Sequence, residues 1–280
     1  MGTLQEIPRS DWAELRDLYK KDWPRCVEGY CLLDTQISYP ALAEVFNFKV
    51  YCPGGKMSNG FIGIIDFEKK YQQMHVCPLD DITPIEDALT HTDVIDWDRV
   101  VNVPSVNSEI KACVERFCKR ANLKVIYDNK VHKYLLDKGF PVFDIDEKSP
   151  NNVCVGPVKP EFLDLVDCAW TFHDPEYTRR LFETFTKNGM SYVLYSTETN
   201  EPLSWIFHDE AGSFTHLYCV EEYRRNGYAE YITKIATNSL LKQGKYVLTH
   251  TLEKNKPAAD LFTKLGFEEK GFVWWLQLSK

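Results

Sequence analysis

The chain has 280 residues, 44% of them apolar, which suffices for one large or two ordinary domains with a sizeable core. It carries 33 basic and 41 acidic residues, and the net charge of −8 argues against a nucleic-acid binder. Nine cysteines, an odd number without the close pairs of a zinc knuckle, predict reduced, mostly buried thiols and no metal site.

The first residues argue against export or import. Glu6, Asp11 and Glu14 are acids that a mitochondrial presequence avoids, and the features of a secretory signal peptide are absent. No apolar run reaches the length of a membrane span. We therefore expect a cytoplasmic protein that binds neither membrane nor nucleic acid.

The first half of the chain alternates helical and extended patterns. Caps or helical spacing predict helices at residues 10–19, at residues 84–89 and from Ser105 onwards. Apolar runs bounded by turn residues predict strands at residues 46–52, 60–67, 71–77, 95–101 and 123–127. Residues 132–136 fit either a helix or a strand. Residues 143–152 are polar, contain Pro150, and predict a linker.

The second half follows a similar plan. Helices are predicted at residues 160–170, 176–186, 228–241 and 258–264. Strands are predicted at residues 153–158, 191–196, 203–208, 214–220, 246–251 and 272–278, the last of which closes the sheet. The similar order predicts two related mixed α/β domains, at residues 1–145 and 153–280, of which only the second has a phosphate-binding turn.

That turn has the pattern Arg-x-x-Gly-x-Ala, at residues 224–229, and it joins the strand at 214–220 to the helix at 228–241. Glycine allows backbone to approach a ligand closely. The helix that follows points free N–H groups and the positive end of its dipole into the turn. Alone the hexapeptide is a weak signal, but the buried strand, Asn255 and short helix downstream strengthen it. Together they predict a site for a phosphate or pyrophosphate.

Tyr223 to Ala229, with Asn255 and the run Lys264-Leu265-Gly266-Phe267, resemble the acyl-CoA-binding core of the GNAT superfamily of N-acyltransferases. Its glycine N-acyltransferase-like branch is similar in order and spacing at four further stretches, residues 95–97, 166–170, 180–185 and 204–205. The resemblance implies a tandem of two GNAT-like domains and an acetyl-CoA or longer acyl-CoA co-substrate. It also implies a small amine or amino acid such as glycine as acceptor, and leaves a mitochondrial location open.

The resemblance assigns a cofactor site in the second half. The residues that it places along the pantetheine arm and the pyrophosphate are Leu217, Tyr218, Cys219, Val220, Arg224, Arg225, Asn226, Gly227, Tyr228 and Ala229, with Asn255 opposite. A free backbone N–H near Cys219 would stabilise the oxyanion of the thioester as the amine attacks. A covalent role for Cys219 is disfavoured, because no basic residue adjoins it in sequence.

Proton transfer is where the sequence departs from the family. The superfamily's tyrosine, which protonates the leaving thiolate, is replaced here by Phe262, and the branch's glutamate base is replaced by Ser213. His216 is the predicted catalytic base, because an unperturbed imidazole titrates near neutral pH. It would share one face of its strand with Phe214 and Tyr218.

Several alternatives remain open. His250 on the adjoining strand could act as the base in place of His216, or His216 could be structural. At the level of function, the alternatives are a protein N-acetyltransferase and a catalytically weak protein that binds acyl-CoA as a ligand.

Overall fold

The structure is a computed structural model that describes residues 3–21, 23–145 and 150–280. The chain forms two compact units. Unit 1 takes in Met1–Lys133, Leu252–Lys254 and Lys270–Lys280, and unit 2 takes in Tyr134–Thr251 and Asn255–Glu269. Within the described ranges, no helix is both long and apolar enough to cross a membrane.

The first half of the chain contributes six strands and five helices to the described residues. Its strands are β1 (Leu4–Glu6), β2 (Lys49–Pro53), β3 (Phe61–Phe67), β4 (Tyr71–Cys77), β5 (Val101–Val106) and β6 (Lys124–Leu136). Its helices are α1 (Trp12–Leu18), α2 (Val27–Ser38), α3 (Pro40–Val45), α4 (Thr83–Leu89) and α5 (Ser108–Ala121).

The second half contributes six further strands and four helices to the described residues. Its strands are β7 (Val153–Gly156), β8 (Ser191–Ser196), β9 (Pro202–His208), β10 (Ser213–Cys219), β11 (Val247–Leu252) and β12 (Glu268–Ser279). Its helices are α6 (Leu163–Cys168), α7 (Thr178–Lys187), α8 (Tyr228–Leu241) and α9 (Lys256–Lys264).

Each unit contains mixed β-sheet. The strand order is β1-β2-β3-β4-β5-β12-β6 in unit 1 and β11-β10-β9-β8-β7 in unit 2. Neighbours such as β3 and β4, or β8 and β9, are antiparallel. One parallel pair occurs at a corresponding place in each unit, between β4 and β5 and between β10 and β11. The predicted mixed α/β fold is confirmed.

Helices cover the sheet in both units because their apolar residues recur at helical spacing. In unit 1, Ile110, Val114 and Phe117 of α5 pack into one cluster with Val101 and Val103 of β5. In unit 2, the corresponding cluster joins α8 and α9 to strands β8, β9, β10 and β11. This part of the core of unit 2 lies on the side of the sheet that α8 covers, and Phe182 of α7 packs with Phe207 of β9 in a second buried cluster on the other side.

Some predicted boundaries are wrong. The strand predicted at residues 95–101 begins only at Val101. Ile95 lies in a loop, and its side chain is buried, which explains why an apolar residue at this position was taken for part of a strand. Helix α5 begins at Ser108 rather than Ser105, because the side chain of Asn107 caps it. Helices α2 and α3 had not been predicted. Residues 132–136, left open between helix and strand, belong to β6.

The end of the chain also differs from the prediction. Strand β12 pairs antiparallel with β5 in unit 1, with Trp274 opposite Val106 and Leu278 opposite Val101, instead of closing the second half. Of the predicted linker at 143–152, residues 146–149 lie outside the described residues, while Phe143 exchanges two backbone hydrogen bonds with the side chain of Asn238. The domain boundaries 1–145 and 153–280 stay a prediction.

Candidate functional site

The Arg-x-x-Gly-x-Ala turn lies on the surface of unit 2. A short 3₁₀ turn, Glu221–Tyr223, follows β10, and Arg224 to Gly227 are all exposed. Arg224 donates through Nε to the carbonyl of Cys219 at 3.2 Å and through Nη1 to Glu221 at 3.0 Å. The guanidinium is thereby held over the end of β10.

Gly227 makes the entry into α8 possible. Its φ of +80° is a left-handed conformation that glycine adopts without cost. A Cβ at this position would meet no atom within 4 Å, so the space beside Gly227 is open. Helix α8 begins at the next residue, Tyr228, and its first N–H groups have no acceptor within the helix. Open space and free N–H groups are what an anion needs, and the anion site itself stays a prediction.

The strand before the turn is irregular. Strand β10 pairs with β11 at Ser213 and Phe214. Its pairing with β9 slips by one residue between Thr215 and Tyr218, which marks a β-bulge, and His216 at its centre has a φ of +50°. A bulge bends a strand and redirects its side chains. Among the described residues, no pairing of β10 with β11 follows Phe214, so the backbone of residues 215–219 faces the opening between these strands.

The bulge corrects the expectation that Phe214, His216 and Tyr218 share one face. Phe214 packs with α8. The ring of His216 instead stacks on Phe207 at 5.9 Å, and that of Tyr218 stacks on Trp205 at 4.7 Å, on the opposite side of the sheet. Alternation alone fails here because the bulge adds a residue to the strand.

His216 itself is buried among aromatic rings. Its Nε2 lies 2.7 Å from the carbonyl of Val166 on α6, which can only accept, and 3.2 Å from Nε1 of Trp205, which can only donate. Burial lowers the pKa of His216 to about 4, although the bond to Val166 opposes the shift. His216 was chosen as the base because a free imidazole titrates near neutral pH, and its buried environment does not support such a pKa. The catalytic role of His216 stays a prediction.

The two positions at which the family carries proton-transfer groups are buried. The hydroxyl of Ser213 lies 3.2 Å from Nδ1 of His250, which links the replaced glutamate position to the alternative base. Phe262 packs against Phe267 in the core of unit 2 and cannot donate a proton. Neither Ser213 nor Phe262 can exchange a proton at neutral pH.

The remaining predicted site residues surround the same opening. Leu217, Tyr218, Cys219 and Val220 are partly exposed. Burial raises the pKa of the Cys219 thiol despite the nearby guanidinium of Arg224, which keeps the thiol protonated and disfavours a covalent role. Asn255 caps α9 by accepting the N–H of Ala258 at 3.3 Å. No cluster of three or more potential metal ligands occurs in residues 3–21, 23–145 or 150–280.

One polar cluster near β10 had not been predicted. Asp167 on α6 is buried, accepts the hydroxyl of Thr178, and lies 3.2 Å from Nδ1 of His173. His173 belongs to the loop between α6 and α7, and 34% of its side chain is exposed. In the sequence, His173 is a single histidine five residues beyond the end of α6. Its proximity to Asp167 depends on how α6 and α7 pack, so the sequence alone does not indicate the pair.

The FR47-like protein family model matches residues 191–276, which include β8, the turn and α9. A Drosophila protein solved by X-ray crystallography superposes with a TM-score of 0.82 at 15% identity, over 99% of each chain. A tandem GNAT protein from the clavulanic acid biosynthesis pathway superposes with a TM-score of 0.54 at 13% identity, over 99% of this chain and 98% of that one. The chain has the tandem GNAT fold.

The resemblance to the GNAT superfamily is therefore confirmed, and the cofactor-binding role of the turn stays a prediction. Glycine N-acyltransferase of Bos taurus is 24% identical over 191 residues, which cover 63% of this chain and 64% of the bovine enzyme. The match thus spans less than two thirds of the bovine enzyme. An identity this low leaves the acceptor undetermined.

Proposed function

We propose that this GNAT-fold chain is an acyl-CoA-dependent N-acyltransferase that acylates a small amine or amino acid such as glycine. The observation that carries the proposal is the opening beside residues 215–219, which runs directly into the Gly227 turn and the N-terminus of α8. A pantetheine arm beside β10 would bring its thioester to the bulge. The pyrophosphate would accept hydrogen bonds from the first N–H groups of α8. The similarity to bovine glycine N-acyltransferase supports the small acceptor.

The reaction makes definite demands on this site. The N–H groups of residues 215–219 that face the opening are suited to stabilise the oxyanion formed when the amine attacks the thioester. Arg224 would balance the negative charge of the pyrophosphate in a chain whose net charge is −8. Leu217 and Tyr218 provide partly exposed apolar surface for the pantetheine arm.

The test combines binding and turnover. Isothermal titration calorimetry with CoA should give one site per chain, because only unit 2 has the turn. Product mass spectrometry should then detect N-acyl products from an acyl-CoA panel and an amine panel that includes glycine. Thiol-reactive dyes are unsuitable, since Cys154 and Cys168 are exposed. Turnover of peptide amines alone would favour a protein N-acetyltransferase.

A second candidate is a protein that binds acyl-CoA without efficient turnover. It is favoured by the residues at the two proton-transfer positions of the family, Ser213 and Phe262, which are both buried. Tight CoA binding with no product from any amine would support this candidate and would contradict the enzyme.

A further inference from the structure

An amine acyltransferase must take a proton from the acceptor, because an ammonium group has no lone pair with which to attack a thioester. A side chain for this task needs access to solvent or substrate and a fixed orientation. His216 is buried, and its Nε2 is directed at the carbonyl of Val166. His173 and His250 both combine partial exposure with a ring contacted at Nδ1, and His173 is distinguished by a carboxylate partner, whereas His250 meets the hydroxyl of Ser213.

The orientation of His173 comes from Asp167. Oδ1 of this buried carboxylate lies 3.2 Å from Nδ1 of the imidazole, and the hydroxyl of Thr178 donates to the same oxygen. The Thr178 hydroxyl also lies 3.5 Å from Nδ1, but it gives its one proton to Asp167, and a carboxylate only accepts, so the cluster favours the imidazole proton on Nδ1. The lone pair of the neutral ring is then on Nε2, as in the acid–base pairs of hydrolases, in which an aspartate orients a histidine.

The loop that carries His173 lies over the bulge of β10. The N–H of His173 donates to the carbonyl of Trp170 at 3.0 Å, and the Trp170 ring is 6.0 Å from the ring of His216. Helix α6, which precedes the loop, receives the hydrogen bond from His216 at Val166. The loop is therefore packed on the strand segment that borders the opening for the thioester.

The charged groups around His173 come from three elements. Asp167 is on α6, Asp174 follows His173 in the loop, and Arg179 is on α7. The hydrogen bond that Arg179 donates to Asp164 raises the pKa of Arg179, and the nearby charge of Asp167 adds a smaller contribution. From the sheet, His216 contributes a neutral ring, because burial lowers its pKa to about 4. After proton uptake, the imidazolium of His173 would face the carboxylate of Asp167.

We propose that His173, oriented by Asp167, accepts the proton of the acceptor ammonium at Nε2, directly or through one water. This inference rests on the proposed N-acyltransferase function. The neutral amine then forms the C–N bond while the carbonyl oxygen takes up the electron pair. Collapse breaks the C–S bond, the thiolate takes the second proton from the nitrogen, and His173 releases the first proton to solvent. The products are the amide, CoA and one proton.

The kinetic test uses His173→Gln, with His91→Gln as a matched control. His91 is also exposed and also bonds through Nδ1, in its case to the carbonyl of Asp87 in unit 1. His173→Gln should lower kcat/KM by about 100-fold and remove the acid-side limb of its pH profile, with CoA affinity unchanged. His91→Gln should match the wild type. Unchanged kcat/KM and pH profile in His173→Gln would overturn the proposal.

Asp167→Asn tests the positioning residue, since asparagine keeps an oxygen that can accept from Thr178. We expect a smaller loss in kcat/KM, about tenfold, and a His173 ring that is no longer protonated at Nδ1 alone, because an amide can donate to this nitrogen whereas a carboxylate can only accept. A thermal melt should show that the fold persists. Wild-type kcat/KM together with unchanged Nδ1 protonation of His173 in Asp167→Asn would contradict the orienting role.

A measurement independent of turnover separates this inference from the proposed function. Long-range ¹H–¹⁵N NMR of the wild type, assigned with His173→Gln, reports which ring nitrogen carries the proton. Protonation at Nδ1 is expected, and protonation at Nε2 would overturn the inference even in an active enzyme. If His173 is protonated at Nδ1 but the wild type makes no product from any amine, the proposed function fails, and the base role fails with it.

Discussion

Each unit has an opening beside a pair of parallel strands, which are β4 and β5 in unit 1 and β10 and β11 in unit 2. Within the described residues, the opening is filled in unit 1 and free in unit 2. In unit 2, β10 leads to an exposed turn with Gly227 and the 14-residue helix α8. In unit 1, β4 leads to Cys77, Pro78 and Leu79, whose carbonyls accept hydrogen bonds from side chains that lie just after α1 and just before α2, and α4 has only seven residues. The donors to these three carbonyls are Tyr19, Cys26 and Arg25, respectively.

The cavity that remains at this place in unit 1 holds about 20 Å³, room for one water molecule. Two acids, Asp80 and Asp81, follow in the position where unit 2 has arginines. An acidic loop repels a pyrophosphate, and a filled opening excludes the pantetheine arm. The fold supplies the strand separation in both units, whereas the residues after the strand decide whether a cofactor could enter.

The largest effect should come from Gly227→Glu. The glutamate would force a side chain into a backbone with φ of +80° and put a negative charge at the N-terminus of α8. We expect CoA affinity to fall by about 100-fold or more in calorimetry. If the turn is the cofactor site, this single change should make unit 2 as inaccessible to CoA as unit 1.

Gly244→Glu is the matched control for this variant. Gly244 also lies in unit 2, has a φ of +69°, and has no atom within 4 Å of a Cβ position. It therefore shares the backbone strain and the added charge without touching the turn. Equal losses of CoA affinity in the two variants would remove the turn from the proposed site.

The next effect should come from His216→Ala. It removes the ring that holds the bulge between β10 and α6, so we expect kcat/KM to fall by about tenfold or more while CoA binding persists. Because burial lowers the pKa of His216 to about 4, the acid-side limb near neutral pH should remain. Wild-type turnover from pH 6 to 9 would assign His216 a structural role alone, and loss of the limb would restore it as the base.

The same variant should change the pH dependence of stability. An unfolded histidine protonates near pH 6.5, but burial lowers the pKa of His216 to about 4 and that of His75 on β4 to about 3. Each ring therefore contributes stability that is present above about pH 6.5 and lost as pH falls towards the folded pKa. Denaturant unfolding of His216→Ala should show a flatter loss between pH 6.5 and 4.

His75→Ala provides the comparison in unit 1. Both substitutions remove a buried ring, and each should cost about 2–4 kcal/mol of unfolding free energy at pH 7. His75→Ala should leave kcat/KM unchanged, since unit 1 has no cofactor opening. If His75→Ala lowered kcat/KM as much as His216→Ala does, the proposal that turnover depends on unit 2 and not on unit 1 would be contradicted.

The smallest effect should come from the asparagine caps. Asn107 caps α5 by accepting from Ile110 at 2.9 Å, and Asn255 caps α9 by accepting from Ala258 at 3.3 Å. Substitution of either by alanine should cost about 1 kcal/mol of unfolding free energy. Asn255→Ala should also weaken CoA binding by about 2–10-fold, whereas Asn107→Ala should not. Equal CoA affinities in both variants would exclude Asn255 from the site.

Local signals in the sequence were sufficient for much of unit 2. The bounds of β8 and α8 were predicted to the residue, and the anion turn was placed between β10 and α8, because glycine punctuation and apolar spacing are properties of neighbouring residues. In unit 1, β4 and α4 were predicted almost as well. Helix α2 was not, because most of its residues are buried and no polar face interrupts the apolar run.

Tertiary structure decided the rest. Because of the bulge at His216, Phe214 and His216 lie on opposite faces of the sheet, although alternation predicted one shared face. The inserted residue is visible only when β10 is aligned with its partner β9, so the sequence of β10 alone does not show it. Strand β12 pairs with β5, more than 160 residues earlier by the register Trp274 to Val106, and no local pattern encodes such a partner. Asp167 and His173 become a pair only when the loop between α6 and α7 folds back. Sequence thus determined the elements and the turn, whereas packing alone determined which side chains meet at the opening.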